Sequence, residues 1–283
     1  MQRCSTIIDA RKLIKLWKSQ NKSIGFVATM GYLHEGHASL MRRARAENEI
    51  VVVSIFVNPK QFGPAEDFTN YPRDLQKDLD TCAGESVDMV FFPEPDEMYP
   101  EGFCAYIDMD GIKNELCGKS RPEHFRGVCT VVAKLFAIIT PDRAYFGQKD
   151  AQQVAVIQRM TRDLNMDLQI ISCPIVRESD GLAQSSRNAY LSQEERNAAP
   201  ILIKALRKGE RMVLEAGEKD PEKVIAAMKA IILTEPLARI DYADIVNAVS
   251  IERVARIRGP VLLALAVFIG KTRLIDNAML DVA

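Results

Sequence analysis

Over residues 1–176 the chain alternates short β-branched runs with stretches of helical periodicity, the pattern of stacked βαβ units that builds a parallel sheet. Few other folds accept that alternation. Residues 24–28 read as the first strand, followed by a helix over 36–47 that turns Leu40, Met41 and Ala44 inward and Arg42, Arg43 and Arg45 to water. A second strand over 51–57 is unbroken in its apolar character, which suits a strand covered on both faces, and Asn58-Pro59 stops it. A helix near 74–82 leads to a third strand at 87–92. Val128, Val131, Val132, Leu135, Phe136 and Ile139 then make a helical stripe ended by Pro141. A short strand at 144–146 precedes a helix opened by Asp150, whose buried face is Val154, Ile157, Met160 or Thr161, and Leu164. Residues 168–173 close the sheet.

The texture changes after Pro174. A Ser-Asp-Gly turn at 179–181 is followed by helices opening at Ser192 and Asp220 and by two late strands at 239–247 and 261–269. Ser192 with Glu195 reads as a capping box, and Asp220-Pro221 as an N-cap followed by proline at the first helical position. The expected fold class is α/β: a Rossmann-like parallel-sheet domain over 1–176 and a smaller α+β lid domain over 177–283.

Composition narrows the partners. Thirty-seven basic against 38 acidic residues give 37 − 38 = −1, a balance unsuited to gripping nucleic acid or a membrane surface. The longest strongly apolar run, 261–269, is about half a bilayer crossing. Asp9, Arg11, Lys12, Lys15 and Lys18 interrupt the stretch where a signal peptide needs an apolar block, so the chain is expected in the cytoplasm. The six cysteines include no Cys-x-x-Cys pair and are expected as reduced, mostly packed thiols.

Two of the three histidines stand together in Met30-Gly31-Tyr32-Leu33-His34-Glu35-Gly36-His37, between a strand end and a helix start. That is the crevice where open α/β sheets bind ligands. The spacing places both imidazoles on one side of the first helical turn, beside unpaired backbone N–H groups and the positive end of the helix dipole, where phosphate is the natural guest. His-x-Gly-His in this setting is a nucleotidyl-transfer signature, with two donors neutralising charge on the α-phosphate. A metal site is disfavoured, because His-Glu-Gly-His lacks the i, i+4 spacing of metal-binding His-Glu-x-x-His. A purely structural pair is also disfavoured, since helix caps are normally Ser, Asp or Asn.

A second cluster, Gly147-Gln148-Lys149-Asp150-Ala151-Gln152-Gln153, again follows a strand end. Lys149 reads as a mobile point charge for phosphate, while Asp150 and Gln153 read equally well as a helix capping box. Ser185-Ser186-Arg187-Asn188 sets hydroxyls beside a guanidinium, an anion clamp in such company and an ordinary polar loop without it. Gln61, in Asn58-Pro59-Lys60-Gln61-Phe62, suits a carboxylate or hydroxyl of a small substrate. Arg121-Pro122-Glu123-His124-Phe125-Arg126-Gly127 serves either as helix entry or as part of the site.

Taken in order with Tyr71-Pro72-Arg73, these segments resemble the pantothenate synthetases, the pantoate beta-alanine ligases of the His-x-Gly-His nucleotidyltransferase superfamily, over nearly the whole chain to Asp276-Asn277. The resemblance implies ATP- and magnesium-dependent joining of (R)-pantoate to beta-alanine through a pantoyl adenylate, with release of AMP and pyrophosphate, usually in a homodimer. It implies an ATP site of Met30, Gly31, Tyr32, Leu33, His34, Glu35, Gly36, His37, Gly147, Gln148, Lys149, Asp150, Val176, Gln184, Ser185, Ser186 and Arg187. Within that set His34, His37, Lys149, Ser185, Ser186 and Arg187 are catalytic, His37 has the acid role, and Gln61 and Gln153 hold pantoate. Alternatives are another adenylyltransferase of the superfamily or a catalytically silent nucleotide-binding protein. The chain departs from the family pattern at Ala28, Cys117, Gln148 and Gln184. Cys117 stands where a glutamate is usual, which removes a carboxylate partner for nearby basic groups. The metal ligands are left open, with Asp78 the one candidate.

Overall fold

The computed structural model describes residues 1–64 and 66–283. They form two compact units, one of Met1–Asp110, Arg121–Gln148 and Val156–Pro174, the other of Gly111–Ser120, Lys149–Ala155 and Ile175–Ala283. The first is built on six parallel strands: β1 (Gln2–Cys4), β2 (Ile24–Thr29), β3 (Ile50–Ile55), β4 (Met89–Phe91), β5 (Arg143–Gly147) and β6 (Gln169–Cys173). Their order across the sheet is β1-β4-β3-β2-β5-β6. Phe26, Val27, Val51, Val52 and Val53 are wholly buried, as the unbroken apolar runs require of strands covered on both faces.

Helices α1 (Ile7–Ser19), α2 (Glu35–Glu47), α3 (Leu75–Gly84), the single turn α4 (Pro95–Met98) and α6 (His124–Ile139) belong to this unit. Leu40, Met41 and Ala44 of α2 pack against Val27, Val51 and Val53, so the expected inward face is the observed one. The stripe on α6 is buried as its spacing demands, but the helix starts at His124, four residues before Val128. Helix α7 (Ala151–Asp163) buries Val154, Ile157, Met160 and Thr161. Leu164 does not join them. It is 49% exposed, because the helix stops at Asp163 and the chain reverses through left-handed Asn165 at φ 51°.

In the second unit the turn α5 (Cys117–Ser120) and helices α8 (Gln193–Ala198), α9 (Ile201–Leu214) and α10 (Pro221–Ile232) accompany an antiparallel sheet. Ser192 and Glu195 make the expected capping box, and Asp220 caps α10 ahead of Pro221. The sheet has three strands, not two: β7 (Ala238–Asn247), β8 (Gly259–Ile269) and β9 (Thr272–Val282). β9 escapes a period-two reading because Asp276 and Asn277 interrupt its apolar positions while themselves being buried. Leu202, Leu206, Val224 and Met228 meet Leu263, Leu265 and Val267 in this unit's core. Four of the six thiols are buried and all six are free. Among the described residues no helix is long and apolar enough to cross a membrane.

Candidate active site

From β2 the chain proceeds outward to β3 and β4, then returns to place β5 on the other side of β2. The direction of winding therefore reverses between β2 and β5, and ligands bind beyond the carboxyl ends of the strands at such a point. At the end of β2 the backbone makes two left-handed steps, Gly31 at φ 81° and Tyr32 at φ 50°. Asp78 on α3 holds this turn: its carboxylate accepts the Tyr32 N–H at 2.8 Å and the Leu33 N–H at 2.6 Å. A Cβ on Gly31 would lie 2.8 Å from the Asp78 oxygen, so the side chain that fixes the turn also excludes any larger residue there. Burial pushes the Asp78 carboxyl above its usual value, against the pull of the two amides.

The turn delivers His34 to the N-cap of α2. His34 Nδ1 accepts the Gly36 N–H at 3.1 Å, and His37 Nδ1 accepts the His34 N–H at 3.3 Å. The two histidines thus form the capping box themselves, a role normally given to Ser with Glu or Gln, and the expectation that caps belong to other residues is corrected. The consequence is chemical. With Nδ1 an acceptor in each ring, the neutral imidazole carries its proton on Nε2. The rings lie with centroids 4.2 Å apart and planes tilted by 47°, and both residues sit in the first turn of α2, at its positive end.

Gln61 is 9% exposed and its amide is oriented by its neighbours. Its Oε1 accepts from Asn58 Nδ2 at 3.0 Å and its Nε2 donates to the sulfur of Met30 at 3.1 Å, so the structure brings these two predicted site residues into contact. Tyr99 donates to Asn58 Oδ1 at 2.7 Å and holds the Asn58 amide in that sense. The backbone of Gln61 is clamped too: its carbonyl accepts from His124 Nδ1 at 2.9 Å and from Arg121 at 3.2 Å. Gly127 packs beneath, where a Cβ would meet the Lys60 carbonyl oxygen at 2.2 Å. Arg121 has its own carboxylate partner in Glu66, the two pairing in parallel with one bond of 2.7 Å. Burial raises the Glu66 carboxyl, but the Arg121 hydrogen bonds and charge outweigh it, and the net shift is downward.

Of the second cluster, Gly147 ends β5 and Gln148 accepts a hydrogen bond from Ser172 at 2.8 Å. Asp150 lies in a 3-10 turn ahead of α7 and faces Lys149 Nζ at 3.6 Å, while Gln153 sits in the first turn of α7. Lys149 and Ser185 line one small cavity, of about 10 Å³, with Asn188 and Asp276. The Val176 carbonyl accepts the Gln184 N–H at 3.0 Å, and Ser185 caps the short turn that carries Ser186 and Arg187.

Asp78, the one metal candidate read from the sequence, uses each carboxylate oxygen to accept a backbone amide. Among the described residues no group of three or more His, Cys, Asp or Glu side chains is arranged to hold a metal ion. Magnesium needs no such group: one or two protein carboxylates together with nucleotide phosphates would hold it. Glu66 was not singled out from the sequence, and Asn58, Asp276 and Asn277 entered only as members of the family's segments, without a role of their own. The signal for Asp78 was its place on the buried stripe with Leu79 and Cys82, where a carboxylate needs dedicated partners.

The profile of the family described as pantoate-beta-alanine ligase matches residues 2–279. A pantothenate synthetase of Ruminiclostridium cellulolyticum is 57% identical over 277 residues, 98% of each chain. The crystal structure of pantothenate synthetase from Thermus thermophilus superposes with a TM-score of 0.93 at 43% identity, covering 98% of this chain and 99% of that one. A pantoate-beta-alanine ligase from Francisella tularensis, described as complexed with beta-gamma ATP and beta-alanine, aligns with a TM-score of 0.82 at 35% identity over 99% and 97% of the two chains.

Proposed function

The chain belongs to the pantoate-beta-alanine ligase family, binds ATP and joins pantoate to beta-alanine, and from that premise we propose that it works through a pantoyl adenylate. A free carboxylate resists attack by an amine. Transfer of AMP to the pantoate carboxylate forms a mixed anhydride and releases pyrophosphate; the beta-alanine amine then attacks the acyl carbon and displaces AMP. The first step builds negative charge around phosphorus, and preorganised donors lower its barrier most effectively.

The observation that carries this reading is the mutual capping of His34 and His37, which assigns the proton of each ring to Nε2. We assign those two N–H groups to the α-phosphate and its departing pyrophosphate, with His37 as the acid. Lys149, Ser185, Ser186 and Arg187 supply further charge and hydroxyl donors. Met30 to His37, Gly147 to Asp150, Val176 and Gln184 line the nucleotide in this proposal. Gln61, with its amide N–H outward from Asn58, and Gln153 hold pantoate. The nucleotide phosphates would carry magnesium, which would supply further neutralisation of charge there. The active species is a homodimer, to be read by sedimentation equilibrium, and its dependence on ATP favours the cytoplasm.

The test is exchange of radiolabelled pyrophosphate into ATP without beta-alanine. Exchange that depends on pantoate is expected. Exchange indifferent to pantoate, or seen only when beta-alanine is present, overturns the adenylate.

A further inference from the structure

Two adjacent residues in the middle of β9 take no part in the chemistry assigned above, yet both are buried and polar: Asp276 is 3% exposed and Asn277 5%. β9 pairs with β8 through both positions, Leu265 opposite Asp276 and Ala264 opposite Asn277, so their backbone is fixed by a ladder that runs the length of the strand. Each side chain reaches a different segment. Asn277 Nδ2 donates to the carbonyl of Lys149 at 2.9 Å. Asp276 takes the guanidinium of Arg177 in parallel, at 2.7 and 2.9 Å.

Arg177 is the root of the segment that carries Ser185 to Arg187. It forms a β-bridge with Ala183 and donates to the Gly181 carbonyl at 3.0 Å, closing the turn 177–183. Asn188 closes the far end, donating to the Ala183 carbonyl and to Glu178, each at 3.2 Å. A polar pair on a rigid strand therefore ties down two otherwise separate loops. The common cavity lined by Lys149, Ser185 and Asp276 places the tied segments side by side.

We propose that Asp276 and Asn277 are positioning residues that set the distance between Lys149 and the Ser185-Ser186-Arg187 turn. This rests on the reading that those groups engage the ATP phosphates. Neither residue touches nucleotide; each acts through the backbone it holds, and a misplacement of about 1 Å at such donors costs roughly 10²-fold in rate.

The discriminating variant is Asn277→Asp, which keeps the shape and, when ionised, has no hydrogen to give the Lys149 carbonyl. The expected result is a fall of about 10²-fold in kcat/KM for ATP, with the KM for beta-alanine unchanged. The ratio of variant to wild-type activity should recover as pH falls, because a protonated carboxyl donates again and burial raises the pH at which it protonates. Protonation also relieves the buried charge beside Asp276, so the split between substrates discriminates: a merely structural defect lowers kcat/KM for ATP and for beta-alanine alike. Lys149→Ala and Arg187→Ala are measured alongside. If both are impaired in ATP use while Asn277→Asp matches wild type at every pH, the positioning role is overturned. If neither is impaired, the phosphate reading itself fails. Should Asn277→Asp not fold, as judged by near-UV circular dichroism, Asp276→Asn is read by the same kinetics: selective loss in kcat/KM for ATP supports the proposal, and wild-type kinetics overturn it.

Discussion

Asp78 takes the backbone N–H of Leu33 at 2.6 Å across 45 residues of sequence, and the same carboxylate takes the Tyr32 N–H. The turn that leads to His34 is therefore shaped by a group beneath it. Asp78→Asn replaces one acceptor oxygen by an NH2 that points at an amide. The expected loss of stability is about 1–3 kcal/mol, the cost of a buried donor left without a partner, with a raised KM for ATP. The magnesium concentration for half activity should be unchanged. A large shift in that concentration would make Asp78 a metal ligand.

Two roles of His37 separate by substitution. His37→Ala removes both the cap and the Nε2 donor, and turnover should fall roughly 10²- to 10³-fold. His37→Gln returns the side chain that capping boxes normally use at this position, so thermal stability should recover while turnover stays low. Recovery of turnover together with stability would show that the cap alone mattered.

Gly127→Ala brings a methyl group to 2.2 Å from the Lys60 carbonyl oxygen and 2.6 Å from the Gln61 Cα. Backbone on both sides cannot yield cheaply, and overpacking of this kind costs about 1–3 kcal/mol. Because the displaced residue is Gln61, the KM for pantoate should rise more than that for ATP. Equal rises in both would detach Gln61 from pantoate.

Glu66 offers a pH test. Its folded carboxyl sits below the ordinary value, because the Arg121 interactions override the opposing effect of burial. Stability from the pair is then complete above the unfolded carboxyl's pKa, about 4.3, and is lost as pH falls through the lower folded value. The melting temperature of wild type should exceed that of Glu66→Gln at neutral pH, and the gap should close in acid. A gap of equal size at pH 3 and pH 7 would refute the pairing as its source.

The parallel sheet was legible because Phe26, Val27 and residues 51–53 are apolar on both faces, and because the α2 and α6 stripes fall at helical spacing. His34 and His37 were legible as chemistry but not as caps, since a capping histidine leaves no compositional signature. Asp78 was legible only as a metal candidate, because its partners are backbone amides, which look the same in every sequence. Glu66 with Arg121, and Asp276 with Arg177, are separated by 55 and 99 residues, and only folding brings them together. β9 was hidden by Asp276 and Asn277, buried polar residues that interrupt its apolar alternation.

The strands β8 and β9 are joined by two residues, Gly270 and Lys271, with Ile269 paired directly to Thr272. Gly270 is left-handed at φ 57°, and a Cβ there would strike the Glu195 carboxylate. Side chains alternate along a strand, so adding or deleting one residue at this hairpin and slipping the pairing would exchange the outlooks of Asp276 and Asn277. The tip of the hairpin is in effect a gauge block: exposed residues around it can change at little cost, but its length decides which way a buried acid and a buried amide look.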